Sequence, residues 1–145
     1  MPKEKTQSRG IRNKNPLNIR RSSIAWKGKL QQPTDRDFEQ FFAIEWGIRA
    51  AMVNMRMHVT QDKVRGIRTT IKREICRWAP PTENNSQAYI NFVCLQGHFQ
   101  PDDEIEPGDK QSYCRLLQAM AQYECGGAPI PLFTFERAYE LMYQD

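Results

Sequence analysis

The chain reads as a small, mainly α-helical domain, and three observations predict it. Apolar residues recur at helical spacing in five stretches between residue 44 and residue 143. Strong breakers separate those stretches: Pro80-Pro81, Gly97, Pro101 and Pro107, Gly126-Gly127, and Pro129 with Pro131. At 145 residues with 39% apolar content, the chain is long enough for one domain with one core and too apolar for a disordered segment. The expected division is a flexible basic arm over residues 1–9 and a single helical domain over residues 10–145.

The elements follow in order. Residues 10–37 read as loops with one short helical turn, interrupted by Pro16, Gly28 and Pro33. Residues 37–42 read as a short extended piece. The first long helix spans Ile44 to Val59, with Trp46, Ala50, Val53 and Met57 at helical spacing. Its Met52, Met55 and Met57 read as core rather than as a cofactor box. A second helix runs from Ile67 to Trp78, with Ile71, Ile75 and Trp78 on one face, until Pro80-Pro81 ends it. A third begins at Ser86, read as its N-cap, and Gly97 closes it. An acidic loop covers 98–109. Two more helices span Lys110–Glu124 and Thr134–Tyr143.

Charge is unevenly spread. Residues 1–29 hold nine Lys or Arg and one acid, a balance of +8, while residues 30–145 hold twelve bases and sixteen acids, a balance of −4. A basic arm on an acidic body suits an anionic partner such as nucleic acid, anionic cell wall or an acidic protein surface, and a solvated tail is the alternative. The charged start lacks a following apolar stretch, so no signal peptide is read and synthesis in a cytoplasm is expected. No apolar run is long enough to span a bilayer. Cys76, Cys94, Cys114 and Cys125 lie far apart without His at ligand spacing, so buried free thiols are expected, with no metal and no cofactor. His58 and His98 are isolated and receive no role. Phosphate-loop, dinucleotide, serine-hydrolase and zinc-protease motifs are all missing from the sequence.

Two polar segments carry the chemistry, Arg9–Arg20 and Arg77–Tyr89. They concentrate Arg12, Asn13, Asn15, Asn18, Trp78, Glu83, Asn84, Asn85 and Tyr89 on loops beside apolar helices. Asn and Arg make directional hydrogen bonds, aromatics stack on flat ligand faces, and Glu moves a proton, so the set suits a polar polymer such as a carbohydrate. Glu124 shares a helical face with Leu117, Met120 and Ala121. An otherwise apolar face and the negative end of a helix dipole both raise a carboxyl pKa, as a general acid requires; a buried Glu paired with arginine is the alternative. Glu83 reads as a substrate contact, a second carboxylate or a helix cap. Asp35 and Asp37 read as solvated turn acids. Trp78 reads either as core or as a stacking platform.

The chain resembles a family of small phage and prophage proteins that are virion-associated and look like divergent lysozyme-fold enzymes. The family pattern is G-I-R-N-N-N-P-G-N-I-R, W-x-G, D-x-x-F-x-x-F, G-I-R-A, W-A-P-P-x-E-N-N-x-x-Y-I and A-M-x-x-x-E-N-G. Here Gly10–Arg20, Trp26–Gly28, Asp35–Phe41, Gly47–Ala50, Trp78–Ile90 and Ala119–Gly126 match in that order, over residues 9 to 127. The resemblance implies a lysozyme-like helical fold with a rearranged element order. It also implies cleavage of the β-1,4 glycan strand of peptidoglycan, by a lytic transglycosylase or muramidase route.

Glu124 then corresponds to the helix-terminal acid. Glu83 or Asp37 would be the second carboxylate that hydrolysis calls for. Arg12, Asn13, Asn15, Asn18, Trp78, Asn84, Asn85 and Tyr89 would bind sugars. The place of action would be the cell wall, or the virion as one of its components. Three positions depart from the pattern: Lys14 for Asn, Leu17 for Gly and Cys125 for Asn. Replacing Gly by Leu17 is expected to reshape a tight turn, and Cys125 to remove a substrate contact. A non-catalytic member that binds a host factor or serves as a phage structural protein, through its basic N-terminal region, is the alternative.

Overall fold

The computed structural model describes residues 7–80 and 85–144. Its regular elements are α1 (Arg9–Arg12), α2 (Ile44–Val64), α3 (Ile71–Trp78), α4 (Ser86–Gly97), α5 (Lys110–Glu124) and α6 (Leu132–Met142). The mainly α-helical class expected from the sequence is what the chain forms. Packing joins α2 to α6, α5 to both α4 and α6, and α3 to α4.

Capping sets most helix starts. Ser8, Thr70, Asn85 and Asp109 each accept a hydrogen bond from an N–H of the first turn that the helix itself leaves unpaired. Asn85 therefore takes the N-cap role expected of Ser86, whose hydroxyl instead donates to the Ala79 carbonyl across the α3–α4 connection (2.8 Å). The second long helix starts at Ile71 rather than Ile67, because the acidic loop competes for this backbone. The amides of Ile71 and Lys72 donate to the carbonyls of Asp103 and Pro101 (both 3.0 Å), and Ile105 N–H donates to the Thr69 carbonyl (2.8 Å). Gly97 is the last residue of α4, and His98 supplies the left-handed C-cap (φ 59°).

The core lies between α2 and the C-terminal helices. The buried apolar residues of α2 are Ile48, Ala50, Ala51, Met52 and Met55, so of the expected stripe Ala50 lies in the core, as do Met52 and Met55 of the methionines. Met57 is 44% exposed and so leaves the core assigned to it, while Trp46 and Val53 pack only at its margin. On α5, Leu117, Met120 and Ala121 are buried as the periodicity predicts. The four cysteines are free thiols, with Cys114 and Cys125 buried. Among the described residues no helix is long and apolar enough to cross a membrane.

Residues 13–42 are the least regular part and frame the site. Isolated antiparallel bridges join Arg20 to Phe38 and Lys29 to Phe41, so residues 37–42 are the extended piece expected there. Asn15 is the knot of this segment. It is fully buried, its amide donates to the carbonyls of Ile19 (2.9 Å) and Glu39 (3.0 Å), and its oxygen accepts from Ile19 N–H (3.0 Å). Gly47 lets α2 approach this loop, because a Cβ at that position would overlap the Lys14 carbonyl oxygen. Two residues take left-handed conformations, Lys14 and Asn18 (both φ 54°). Leu17 does not; its side chain is fully buried in the core. Leu17 thus fills core volume, and the left-handed conformations of the turn fall on its neighbours Lys14 and Asn18.

Among the described residues, the basic N-terminal region is tied to the body at several points. Arg9 begins α1 and its guanidinium holds Asp35 and Asp37. Lys29 pairs with the buried Glu39 (2.9 Å), and Arg20 lies over the Phe38 ring (5.3 Å). Asp35 is a largely buried ion-pair partner rather than a solvated turn acid, and Arg9 holds its carboxyl far below the usual carboxylate range, whereas Asp37 stays exposed as expected while it pairs with Arg9. Residues 1–6 of the expected arm lie outside the described residues.

Candidate functional site

One cleft of about 820 Å³ gathers residues from the N-terminal loop and from α2, α3, α4 and α5. That volume is at the upper end for sites that enclose small ligands. Its chemistry centres on Glu124, the last residue of α5. Tyr89, from α4, donates its hydroxyl to Glu124 Oε2 (3.0 Å). Asn18, from the loop, donates its amide to Glu124 Oε1 (3.1 Å). Both oxygens are thereby fixed by residues far away in sequence. Burial pushes the Glu124 carboxyl above its ordinary range, and the bonds from Asn18 and Tyr89 pull it down without cancelling that shift. The same burial, with the Glu124 charge beside it, drives the Tyr89 hydroxyl well above its ordinary value, so it stays a donor. A carboxyl with a raised pKa, facing a cleft and held in place, has the properties of a general acid.

Aromatic surface flanks the acid. Tyr123 stacks on Tyr89 (centroids 4.2 Å apart) and lines the cleft. Trp78 closes α3; its indole N–H donates to the Leu17 carbonyl (3.1 Å), which anchors the ring while leaving it on the cleft wall. Trp26, also in the wall, holds its indole nitrogen buried with no hydrogen-bond partner among the described residues, and so does the Asn18 side-chain oxygen. Buried polar atoms of this kind are uncommon.

The expected site residues divide into three groups. Glu124, Asn18, Trp78 and Tyr89 meet in the cleft. Of these, Tyr89 is only 2% exposed, so it positions Glu124 instead of gripping a sugar. Asn13 and Asn15 are corrected to structural roles. Both are buried; Asn13 donates to Asp35 (2.9 Å) and accepts from Gln40 (3.0 Å). Arg12 is exposed outside the cleft wall and donates to the Gln7 carbonyl (3.2 Å), and Asn85 is committed to its helix cap. Asp37 is held by Arg9 and is not a second carboxylate of the cleft. Glu83 and Asn84 lie outside the described residues. Cys125 turns inward, its thiol against the Pro16 carbonyl (3.5 Å), so it is not on the cleft wall where an Asn could have met a ligand.

Asn54, His58 and Tyr123, to which the sequence assigns no site role, also line the cleft, as does Arg77 at the start of the second polar segment. The i, i+4 spacing of Asn54 and His58 puts two polar side chains on one face of α2, which is a legible sign once that helix is placed. His58 Nδ1 lies 2.7 Å from Glu74 Oε2, and Arg77 donates to Glu74 Oε1 (3.1 Å) and to both oxygens of Asp62 (2.8 and 3.0 Å). Burial would raise the Asp62 carboxyl, but bonds from Arg77 and Thr69 and the charges of Arg77 and Arg73 outweigh it and bring it down to about 2. Among the described residues no cluster of three or more His, Cys, Asp or Glu is arranged to hold a metal ion.

No protein-family model matches this sequence. The chain is similar to Protein P5 of Pseudoalteromonas phage PM2, with 30% identity over 139 residues that span 92% of this chain and 81% of that protein. The shared length takes in nearly all of the frame described above, and on that identity and coverage the chain belongs to the family of phage Protein P5.

Proposed function

We propose that this protein cleaves the glycan strand of peptidoglycan, with Glu124 as the general acid, by a lytic transglycosylase or muramidase route on a lysozyme-like fold. The observation that carries the reading is Glu124 itself. It sits at a helix end in a cleft, its pKa raised by burial, with each oxygen held by one donor, Asn18 or Tyr89. Glu124 would protonate the glycosidic oxygen as its bond to the anomeric carbon breaks. Trp78 and Tyr123 offer aromatic faces on which sugar rings stack. Glu124 is the single carboxylate among the described residues of the cleft wall. A single acid suits the transglycosylase route, in which the sugar's own 6-hydroxyl attacks the anomeric carbon; hydrolysis with two carboxylates would call on Glu83, which lies outside the described residues. Kinship with a phage protein supports a place at the bacterial wall or in the virion.

The test is turbidity loss of purified sacculi with wild type and Glu124→Gln in parallel, with mass spectrometry of the soluble products. Lysis by wild type, with a loss of about 100-fold or more in Glu124→Gln, is the expected result. Anhydro ends would assign the transglycosylase route and reducing ends the muramidase route. Full activity in Glu124→Gln overturns the reading. No lysis by well-folded wild type would turn attention to a binding role through the basic N-terminal region, visible as a salt-sensitive complex.

A further inference from the structure

His58 stands on the cleft wall beside Trp78, edge-on to its ring (centroids 6.4 Å, 71°). Its side chain is 23% exposed, whereas that of its partner Glu74 is fully buried. A buried carboxylate needs compensation, and here two carboxylates, Glu74 and Asp62, are matched by two guanidiniums, Arg77 and Arg73. A carboxylate only accepts hydrogen bonds, so the neutral imidazole carries its proton on Nδ1, facing Glu74 at 2.7 Å. Nε2 is then a bare lone pair on a ring whose orientation Glu74 fixes from behind. A carboxylate that orients an imidazole in this way sets the tautomer a proton acceptor needs. A chain of contacts joins His58 to the acid. Trp78 touches His58 and bonds the Leu17 carbonyl, and the next residue, Asn18, bonds Glu124.

We propose that His58 is the base of this cleft, an inference that rests on the glycan-cleavage reading above. Glu124 gives its proton to the leaving glycosidic oxygen as the carbon–oxygen bond breaks. The attacking hydroxyl, whether the sugar's 6-hydroxyl or a water, forms the new bond to the anomeric carbon and passes its proton to His58 Nε2. The imidazolium proton then returns through solvent to the Glu124 carboxylate, and no electrons are gained or lost. The division separates the acid and base roles between two residues on opposite elements, α5 and α2.

The experiment compares wild type, Glu124→Gln and His58→Asn on soluble, uncrosslinked peptidoglycan strands. In His58→Asn the new side-chain amide would keep an N–H for Glu74, with no counterpart of Nε2. The expected result is a fall in kcat of about 100-fold or more for His58→Asn, with KM changed by less than about threefold. Nitrogen NMR of the wild-type imidazole is read in the same protein, independently of any variant's folding, and is expected to show Nδ1 protonated and Nε2 bare. Strong Glu124 dependence together with near-normal kcat in His58→Asn overturns the base and leaves the glycosidase standing. Protonation at Nε2 in the neutral ring also overturns it. No cleavage by wild type removes both readings together.

Discussion

Replacing Gly47 by alanine tests the contact that holds the Asn-rich loop against α2. Gly47 lies in the first turn of α2, where helix propensity alone favours alanine by about 1 kcal/mol. The tertiary structure opposes it. The new Cβ would overlap the Lys14 carbonyl oxygen and approach Lys14 C (3.0 Å) and Asn15 Cα (3.1 Å). All three are backbone atoms, and the loop that carries them has little freedom to move. Asn15 anchors it with three side-chain hydrogen bonds, its N–H donates to the Gly10 carbonyl (2.8 Å), and Phe41 N–H donates to the Asn13 carbonyl (3.0 Å).

Restoring an ordinary carbon–oxygen contact requires a shift on the order of 1 Å. Overpacking of this kind costs about 1–3 kcal/mol, and each hydrogen bond stretched by the shift adds about 1 kcal/mol. Net of propensity, Gly47→Ala is expected to lose about 1–3 kcal/mol, a fall in Tm of roughly 3–10 °C for a chain of this size. Thermal and urea unfolding read the effect. Gly108→Ala is the control: it lies in a turn, a Cβ there meets nothing within 4 Å, and it should be neutral or slightly stabilising. A Gly47→Ala protein as stable as wild type, or more so, would refute the reasoning, because only the propensity term would then be acting. Since Asn18 follows three residues after Asn15, the same variant should also loosen the donor to Glu124.

The local conformations and the buried acid give two further outcomes. Lys14→Asn should raise stability by about 0.5–1 kcal/mol in urea unfolding, because Lys14 holds a left-handed conformation that Asn tolerates better; an unchanged midpoint would count against that strain. Glu124 should make stability depend on pH in a defined direction. Its folded pKa is raised above the unfolded value, so its cost is absent below the unfolded pKa and grows as pH rises through the window up to the folded pKa. Glu124→Gln should therefore gain on wild type as pH rises through that window, and unfolding curves that stay parallel across the pH series would sink the argument.

Which segments are helices, and which residue is the candidate acid, can be read from the order of residues alone. Periodicity on α5 places Glu124 at the end of an apolar face, and local breakers set where most helices stop, because both effects act within one or two turns of the chain. The Asn-rich segment is legible as special, but its division of labour is not. Asn13, Asn15 and Asn18 look alike in sequence, and only the fold decides that Asn13 and Asn15 tie the loop to residues 35–40 while Asn18 reaches α5. The basic balance of residues 1–29 suggests an anionic partner, yet Arg9 and Lys29 are matched by Asp35, Asp37 and Glu39, which a count of charges cannot reveal. His58 is silent in the sequence for the same reason. Its partner Glu74 lies sixteen residues away on another helix, and the pair exists only because tertiary packing buries a carboxylate beside an imidazole. Interactions within a helical turn are written in the local order of residues, whereas those between elements depend on which faces meet, and that is settled only when the core closes.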